Sequence, residues 1–309
     1  RFKNVMAGSS AGRYTQTQTA VTDLPGFANC LKFDCTTADT SIAAGEFLTF
    51  TQKIEGQNLQ QIAKGTSSAQ PITLSFYVKS NKAGTYSVNA RDRDNNRFCY
   101  KSYTINSANT WERKSVTFPA DTTGTLDNDN ANSFDIEWWV AAGSTYDSGS
   151  TTGAWGANVN GNRAAANTVN IGTSTDDEWL ITGVQLETGS TTTEFEHRSF
   201  SDELQRCQRY FQSYNEPPAR GTTSGGSTDR MAFMLPVVMR VAPTVTFSGT
   251  LNWYDGAAVG TITSFTATYT EPHSVEFDAN FASGSSHATR SMVIYNAGAN
   301  GTLNMDAEL

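Results

Sequence analysis

The amino-acid sequence predicts an all-β fold: an antiparallel jelly-roll β-sandwich followed by a short linking helix and a smaller C-terminal β domain. Three observations lead there. Short runs of β-branched and aromatic residues recur at near-regular spacing, and clusters of Asn, Asp, Gly and Ser separate them. Apolar residues fall into helical register at one conspicuous place only. With 309 residues the chain has the length of about two domains, each able to bury its own core.

The strand signals come in order. Residues 12–19, 30–36 and 47–54 are β-rich or alternate apolar with polar side chains, and 58–64 suits one or two helical turns. Further strands are expected at 72–79, 86–92, 98–105, 111–118, 134–140 and 179–186. Between them lie the turn formers Asn81-Lys82-Ala83-Gly84, Asp94-Asn95-Asn96 and Asp127-Asn128-Asp129-Asn130. Short strands joined by polar turns are the pattern of an antiparallel sandwich.

A helix is expected over 202–212. Ser201 can cap it, Asp202 and Glu203 fall where the helix dipole favours negative charge, and Leu204, Cys207, Tyr210 and Phe211 form one apolar stripe. That stripe is expected to pack on a sheet or on a neighbouring chain, with the chain's own sheets the favoured place. After loops at 216–219 and 221–227, strands are expected at 231–238, 244–247, 251–254, 265–269, 274–278 and 292–295. Leu303 and Met305 alternate with Asn304 and Asp306, as in an edge strand. The expected domains are therefore a sandwich over 1–200, a linking helix and loop over 201–220, and a β domain over 221–309. So small a β unit is expected to need partners to cover its edges.

Composition narrows the function classes. Charged residues make up 17% of the chain and aromatic residues 11%, enough apolar area for a packed core rather than a disordered acidic chain. A net charge of −8 runs against phosphate-backbone binding, so nucleic acid is not an expected partner. All eight lysines lie at or before Lys114, which gives the two regions different surfaces. No apolar run reaches membrane-spanning length and no secretory leader pattern is seen, so membrane insertion is not expected. Cys30, Cys35, Cys99 and Cys207 match no zinc or disulfide pattern and read as buried free thiols, in keeping with assembly in a reducing cytoplasm.

The most distinctive wording is at 181–212, ITGVQLETGSTTTEFEHRSFSDELQRCQRYFQ. Leu186, Glu187, Gly189, Thr193, Phe195, Glu196, Arg198, Ser199, Glu203, Leu204, Cys207, Gln208, Arg209 and Tyr210 stand at fixed spacing. This run resembles the joint after a carbohydrate-binding-module-like jelly roll in tail-fibre and related virion structural proteins of tailed bacteriophages. The resemblance implies a virion part, in the tail before the capsid, assembled in the host cytoplasm with other virion proteins. It also implies a homo-oligomer, expected to be a trimer. The GTLNMDAEL ending resembles the C-terminus of such proteins, and the RFK start suggests that strands precede Arg1.

Strand parity nominates a ligand face. In 134–140, Phe134, Ile136, Trp138 and Val140 share the core side, leaving Asp135, Glu137 and Trp139 on the other. The same reading turns Tyr77, Asn89 and Arg91 away from the core. A face carrying Tyr77, Asn89, Arg91, Glu137 and Trp139 suits a sugar, which stacks on aromatic planes and pairs its hydroxyls with amides, carboxylates and guanidinium groups. The competing reading packs Tyr77 and Trp139 under a covering loop or N-terminal segment. The long segment 143–170, rich in Gly, Ser, Thr, Asn and Ala, holds Trp155 at its centre, either as an exposed ligand anchor or as a plug pinning the loop.

No cofactor is firmly expected. Because modules of the resembled kind often carry a structural calcium, Asp176, Asp177 and Glu178 are its candidate ligands, against the reading of a solvated turn. His197, His273 and His287 are scattered, His197 reading as a hydrogen-bonding lock at the hinge. No nucleophile motif or phosphate loop occurs. Three classes remain: a tail fibre contacting host surface glycan, a capsid decoration or head fibre with a purely structural role, and a glycan-degrading tailspike. The tailspike is weakest, since no β-helix repeat is visible. The expected function is structural and adhesive, without catalysis.

Overall fold

Alternation of large apolar with polar side chains gives the central strands of the first unit an apolar face, and two sheets bury those faces against each other. The structure, a computed structural model, describes residues 2–7, 13–215, 217, 219–222, 228–254, 259–281, 291–295 and 301–308. Gly12, the loop residues 216, 218 and 223–227, and His287 lie outside the described residues. The chain separates into two compact units, Phe2–His197 and Arg198–Leu309.

In the first unit the strands are β1 (Phe2–Ala7), β2 (Tyr14–Ala20), β3 (Asn29–Cys35), β4 (Phe47–Glu55), β5 (Ile72–Ser80), β6 (Gly84–Asp92), β7 (Arg97–Ile105), β8 (Glu112–Phe118), β9 (Asn132–Ala142), β10 (Trp155–Ala157) and β11 (Glu178–Thr188). A short helix, α1 (Ser144–Asp147), follows β9. A six-stranded sheet has the order β1-β4-β9-β6-β7-β10, and a five-stranded sheet β2-β3-β11-β5-β8. Every pairing is antiparallel, giving the jelly-roll β-sandwich that the sequence predicts. The helical expectation over 58–64 resolves into two 3₁₀ turns, Gly56–Asn58 and Gln60–Ile62.

Aromatic rings join the two layers. Phe33 of β3 lies edge-on to Phe50 of β4 at 4.6 Å, and Phe76 of β5 meets Trp138 of β9 at 5.7 Å. Trp179 of β11 donates its indole N–H to the Tyr103 hydroxyl of β7 at 3.1 Å, which satisfies a polar group in an otherwise apolar core. Phe134, Ile136, Trp138 and Val140 all face this core, as parity requires.

At one end of the sandwich a lysine is buried with its counter-charges. The Lys64 ammonium donates to Asp92, lies 3.0 Å from an Asp121 oxygen, and donates to the Thr123 and Gly124 carbonyls at 3.0 and 2.8 Å. Arg97 grips both Asp121 oxygens at 2.9 Å. Burial pushes the Asp121 carboxyl up, but the bonds from Arg97 and Lys64 outweigh it and hold the group below the ordinary Asp value.

The second unit departs from expectation at both ends. Its helix, α2 (Phe200–Gln208), begins earlier than 202 and is capped by Ser199, whose hydroxyl accepts from the Asp202 N–H at 3.2 Å, rather than by Ser201. Residues 211–214 leave the helix to form β12 (Phe211–Tyr214), because Phe, Ser and Tyr are weak helix formers and a strand partner is at hand. That partner is β20 (Thr302–Asp306), which lies between β12 and β15 (Thr244–Ser248) and is thus central, not an edge. The helix buries no residue: Leu204 and Cys207 are exposed, correcting both the packed stripe and the buried Cys207 thiol. Cys30, Cys35 and Cys99 are buried, and burial pushes the Cys99 thiol up to about 12.

The remaining strands, β13 (Arg220–Thr222), β14 (Thr228–Met234), β16 (Leu251–Tyr254), β17 (Val259–Glu271), β18 (Ser274–Phe281) and β19 (Ser291–Tyr295), close into a barrel in the order β13-β14-β18-β17-β16-β19. Closure leaves these six strands without free edges, while β12 and β15 remain the edges of the three-stranded sheet. Met231, Phe233, Leu251, Trp253 and Phe277 fill its core. The expected linker residues 201–220 group with this unit. Among the described residues no helix is long and apolar enough to cross a membrane.

Replacing Lys64 with Ala strands the fully buried Asp92 without its cation. The expected loss is about 3–5 kcal/mol, read as a lowered midpoint in denaturant unfolding.

Candidate functional site

Strands β6 and β9 are neighbours in register, with Asn89 opposite Glu137 and Arg91 opposite Asp135. Parity therefore brings Asn89, Arg91, Glu137 and Trp139 together on the outer side of the six-stranded sheet. The face is covered. Segment 143–170 lies over it, with Tyr146 packing 5.3 Å from Trp139 and 4.9 Å from Phe47. The Arg163 guanidinium sits 4.8 Å from the Phe98 ring and 5.8 Å from Trp139. Asn89 donates to the Arg163 carbonyl at 2.8 Å, and Asn167 donates to the Trp139 carbonyl at 3.1 Å. Asn89 is 0% exposed and Trp139 1%. Glu137 accepts from the Trp139 indole at 3.1 Å and lies 3.6 Å from Arg91, and burial pushes its carboxyl up. This layer is an interior, not an open sugar platform.

Tyr77 is not part of it. Strand β5 belongs to the five-stranded sheet, and Tyr77 lies on that sheet's outer face under Phe27, 5.1 Å away. Trp155 sits on β10 and donates its indole N–H to the Pro119 carbonyl at 2.7 Å. It packs against the main core, 6.0 Å from Phe134. Its contacts are those of a pin for the covering segment.

The distinctive 181–212 run turns back over the five-stranded sheet as a strap. Glu187 accepts from the Thr193 hydroxyl at 2.6 Å and from its N–H at 3.2 Å. Gln185 accepts from the Glu196 N–H at 2.8 Å, and Arg113 donates to the Thr193 carbonyl. Phe195 and His197 then close on Phe27, each 5.3 Å from it. His197 contributes ring contacts here, where the sequence suggested a hydrogen bond. Beneath them β11 bulges between Thr182 and Gln185, and Gly183 takes a φ of +58°. A Cβ there would stand 2.8 Å from the Phe27 ring, so the close approach requires glycine.

The three acids before β11 do not converge. Asp177 is buried and a single oxygen, Oδ2, accepts the N–H groups of Gly172, Thr173 and Ser174 and the Lys82 ammonium at 2.7 Å. Glu178 pairs with Lys32 at 2.7 Å, and Asp176 is exposed. A lysine thus supplies the positive charge that calcium would bring, and this donor set does not fit the ion. Among the described residues no group of three His, Cys, Asp or Glu side chains could hold a metal. Burial pushes the Asp177 carboxyl up, but Lys82 and the backbone N–H groups outweigh it and lower the group.

A pocket of about 380 Å³ opens beside that ion pair, lined by Lys82, Ala83, Asp147, Asn167, Thr168, Val169, Asn170 and Thr173. Gly84 lets 168–169 approach: a Cβ there would come within 2.8 Å of Val169. Lys82 is fully engaged, donating to the Asn170 carbonyl at 3.0 Å, to Thr173 and to Asp177. Asp147 is exposed and has no hydrogen bond or ion pair among the described residues. Sequence reading passed over these residues, because a pocket made by a turn and a distant loop leaves no local spacing to find.

No protein-family model matches the chain, and no curated protein matches it. Solved structures share its architecture at low identity. The enzymatically active domain of tailspike protein 4 from bacteriophage CBA120 is 12% identical with a TM-score of 0.34, over 60% of this chain but 19% of the tailspike's. A family 11 carbohydrate-binding module from Clostridium thermocellum is 13% identical, TM-score 0.32, over 63% of this chain and 91% of the module. A putative sugar-binding protein from Bacteroides thetaiotaomicron is 14% identical, TM-score 0.33, over 61% and 87%. These likenesses are of fold alone.

Two outcomes are expected of the buried groups. Trp139→Ala should cost about 3–5 kcal/mol of stability, as an emptied core site does, measured by denaturant unfolding. Asp177 titrates below the ordinary Asp value of 3.8, so its contribution is whole above that pH and fades as pH falls through the folded value. Asp177→Asn should therefore melt below the parent at pH 7, and the two melting curves should converge in acid below about pH 4.

Proposed function

We propose that this chain is a non-enzymatic structural component of a bacteriophage virion, a homotrimeric tail fibre whose sandwich contacts host surface glycan. The observation that carries the adhesive part is the polar pocket of about 380 Å³, within the size range of small-ligand sites, with an Asp147 carboxylate on its wall that has no partner among the described residues. The virion part is supported by the phage-like run at 181–212, whose residues build a strap after the sandwich and a capped helix opening a second β unit. The exposed Phe200 and Leu204 of that helix support association with further copies. The free cysteines agree with assembly in the host cytoplasm.

Binding without hydrolysis is supported by the state of the acids. Glycoside cleavage needs two carboxyl groups facing each other across an open cleft. Among the described residues the buried carboxylates each have a donor: Asp92 and Asp121 hold Lys64, Asp135 holds Arg93, Glu137 holds Trp139, Asp177 holds Lys82, Glu46 holds the Ala43 N–H and Glu55 holds the Gln57 amide. A second reading, capsid decoration or head fibre, is favoured by one observation: the covered outer face of the six-stranded sheet acts as structure.

The purified chain is expected to sediment with surface polysaccharide of the bacterium that supports the particle, and to release no reducing ends from it. Gold-labelled antibody should mark particle tails. Accumulating reducing ends would overturn the non-enzymatic reading, and label on the head would favour decoration.

A further inference from the structure

The chemistry of the pocket narrows its ligand. Of its two charged lining residues, Lys82 is neutralised by Asp177 at 2.7 Å, while Asp147 has no counter-ion among the described residues. The pocket is therefore anionic. Its other polar groups divide into used and unused ones. Asn167 is committed at both ends of its amide, accepting from the Ser87 N–H at 2.6 Å and donating to the Trp139 carbonyl at 3.1 Å. Asn170 accepts from the Ala142 N–H through Oδ1 at 3.1 Å, which leaves its NH₂ group without a partner among the described residues. Thr168 accepts from the Thr85 N–H at 2.9 Å and keeps its own hydroxyl proton to give. Ala83 and Val169 supply a small apolar wall.

An unpaired carboxylate, a free amide donor and a hydroxyl donor beside an apolar patch match a polyhydroxylated ring, whose hydroxyl groups donate as well as accept. The lone carboxylate adds a charge filter. It attracts an ammonium group and repels a second carboxylate, in a place where the neighbouring cation is already occupied. We propose that this pocket binds a neutral or amine-bearing sugar residue, with Asp147 accepting from its hydroxyl or ammonium groups and Asn170 donating, and that it excludes acidic sugars. The inference rests on the glycan-contact reading and assigns it a place and a sugar class.

The test uses the full chain and three probes: methyl glucoside, the methyl glycoside of glucosamine, and glucuronate, followed by saturation-transfer NMR and titration. The glucosamine probe should bind most tightly, the glucoside less so, and glucuronate least. Asp147→Asn should weaken the glucosamine probe about tenfold and narrow its lead over the glucoside. Asn170→Ala should weaken both, while Arg230→Gln in the second unit should change neither. Melting curves establish that the variants are folded. Unaltered sugar binding in folded Asp147→Asn and Asn170→Ala would overturn the pocket assignment, and glucuronate binding as tightly as the glucoside would overturn the sugar class. Should polysaccharide still sediment with the Asp147 and Asn170 variants, the pocket fails while the adhesive reading stands. Should the parent chain bind neither polysaccharide nor any probe, both fail.

Discussion

Strand β9 is buried on both sides, and that constraint organises the sandwich around it. Its inward residues meet the second sheet, but its outward residues include Asp135 and Glu137, which are 1% and 6% exposed. A carboxylate cannot be taken out of water alone. Asp135 is met by Arg93 at 3.2 Å and by the Asn132 amide at 2.9 Å. Glu137 is met by Arg91 and the Trp139 indole. The covering segment completes the layer by laying Arg163 against Phe98 and Trp139. Segment 143–170 has few apolar side chains, yet it is held by polar groups that the sheet needs satisfied, so its order and the sheet's charge burial are one problem with one solution.

How much of this was legible in the sequence depends on what alternation can report. Parity placed Phe134, Ile136, Trp138 and Val140 inward because period two is a local property of the strand. It also set Asn89, Arg91, Glu137 and Trp139 on one side together. It could not say that β5 joins the other sheet, which is why Tyr77 was grouped with them, since sheet membership depends on long-range pairing. Nor does alternation distinguish a polar face open to water from one sealed by another segment. The C-terminal strand shows the same limit: Leu303 and Met305 alternate with Asn304 and Asp306 whether the strand is at an edge or in the middle. The helix was placed correctly in kind but two residues late, because Ser199 and Ser201 are both competent caps and the unforeseen β12 took its last turn.

The phage-like run acquires a physical meaning that the wording alone lacked. Glu187, Thr193, Phe195 and Glu196 fold the chain back over the sheet it has just left, with carboxylate, amide and ring contacts at each step. Ser199 then caps the helix that opens the second unit. Fixed spacing brings Thr193 to Glu187, the Glu196 N–H to Gln185 and the Phe195 ring to Phe27. A run of this kind specifies how a sandwich ends and which element the chain enters next. None of its residues lines the pocket.

Strand β6 connects two places where a lysine meets a buried carboxylate. Beyond its last residue, Asp92, lies the Lys64 cluster; before its first, Gly84, lies Lys82 with Asp177. Each lysine ties loops that are distant in sequence, residues 121–124 at one end and 170–177 at the other. In a chain whose cysteines are free, such clamps hold loop ends where a disulfide could otherwise do so. A buried pair is an indifferent source of net stability but a strong source of position, since losing either partner strands the other in a low-dielectric place. The pocket borrows its shape from the second clamp: Lys82 fixes the Asn170 carbonyl and Thr173, and thereby the wall on which a ligand would rest. Asp147 stands outside that clamp, and in the proposed reading it is the group that sets the pocket's selectivity.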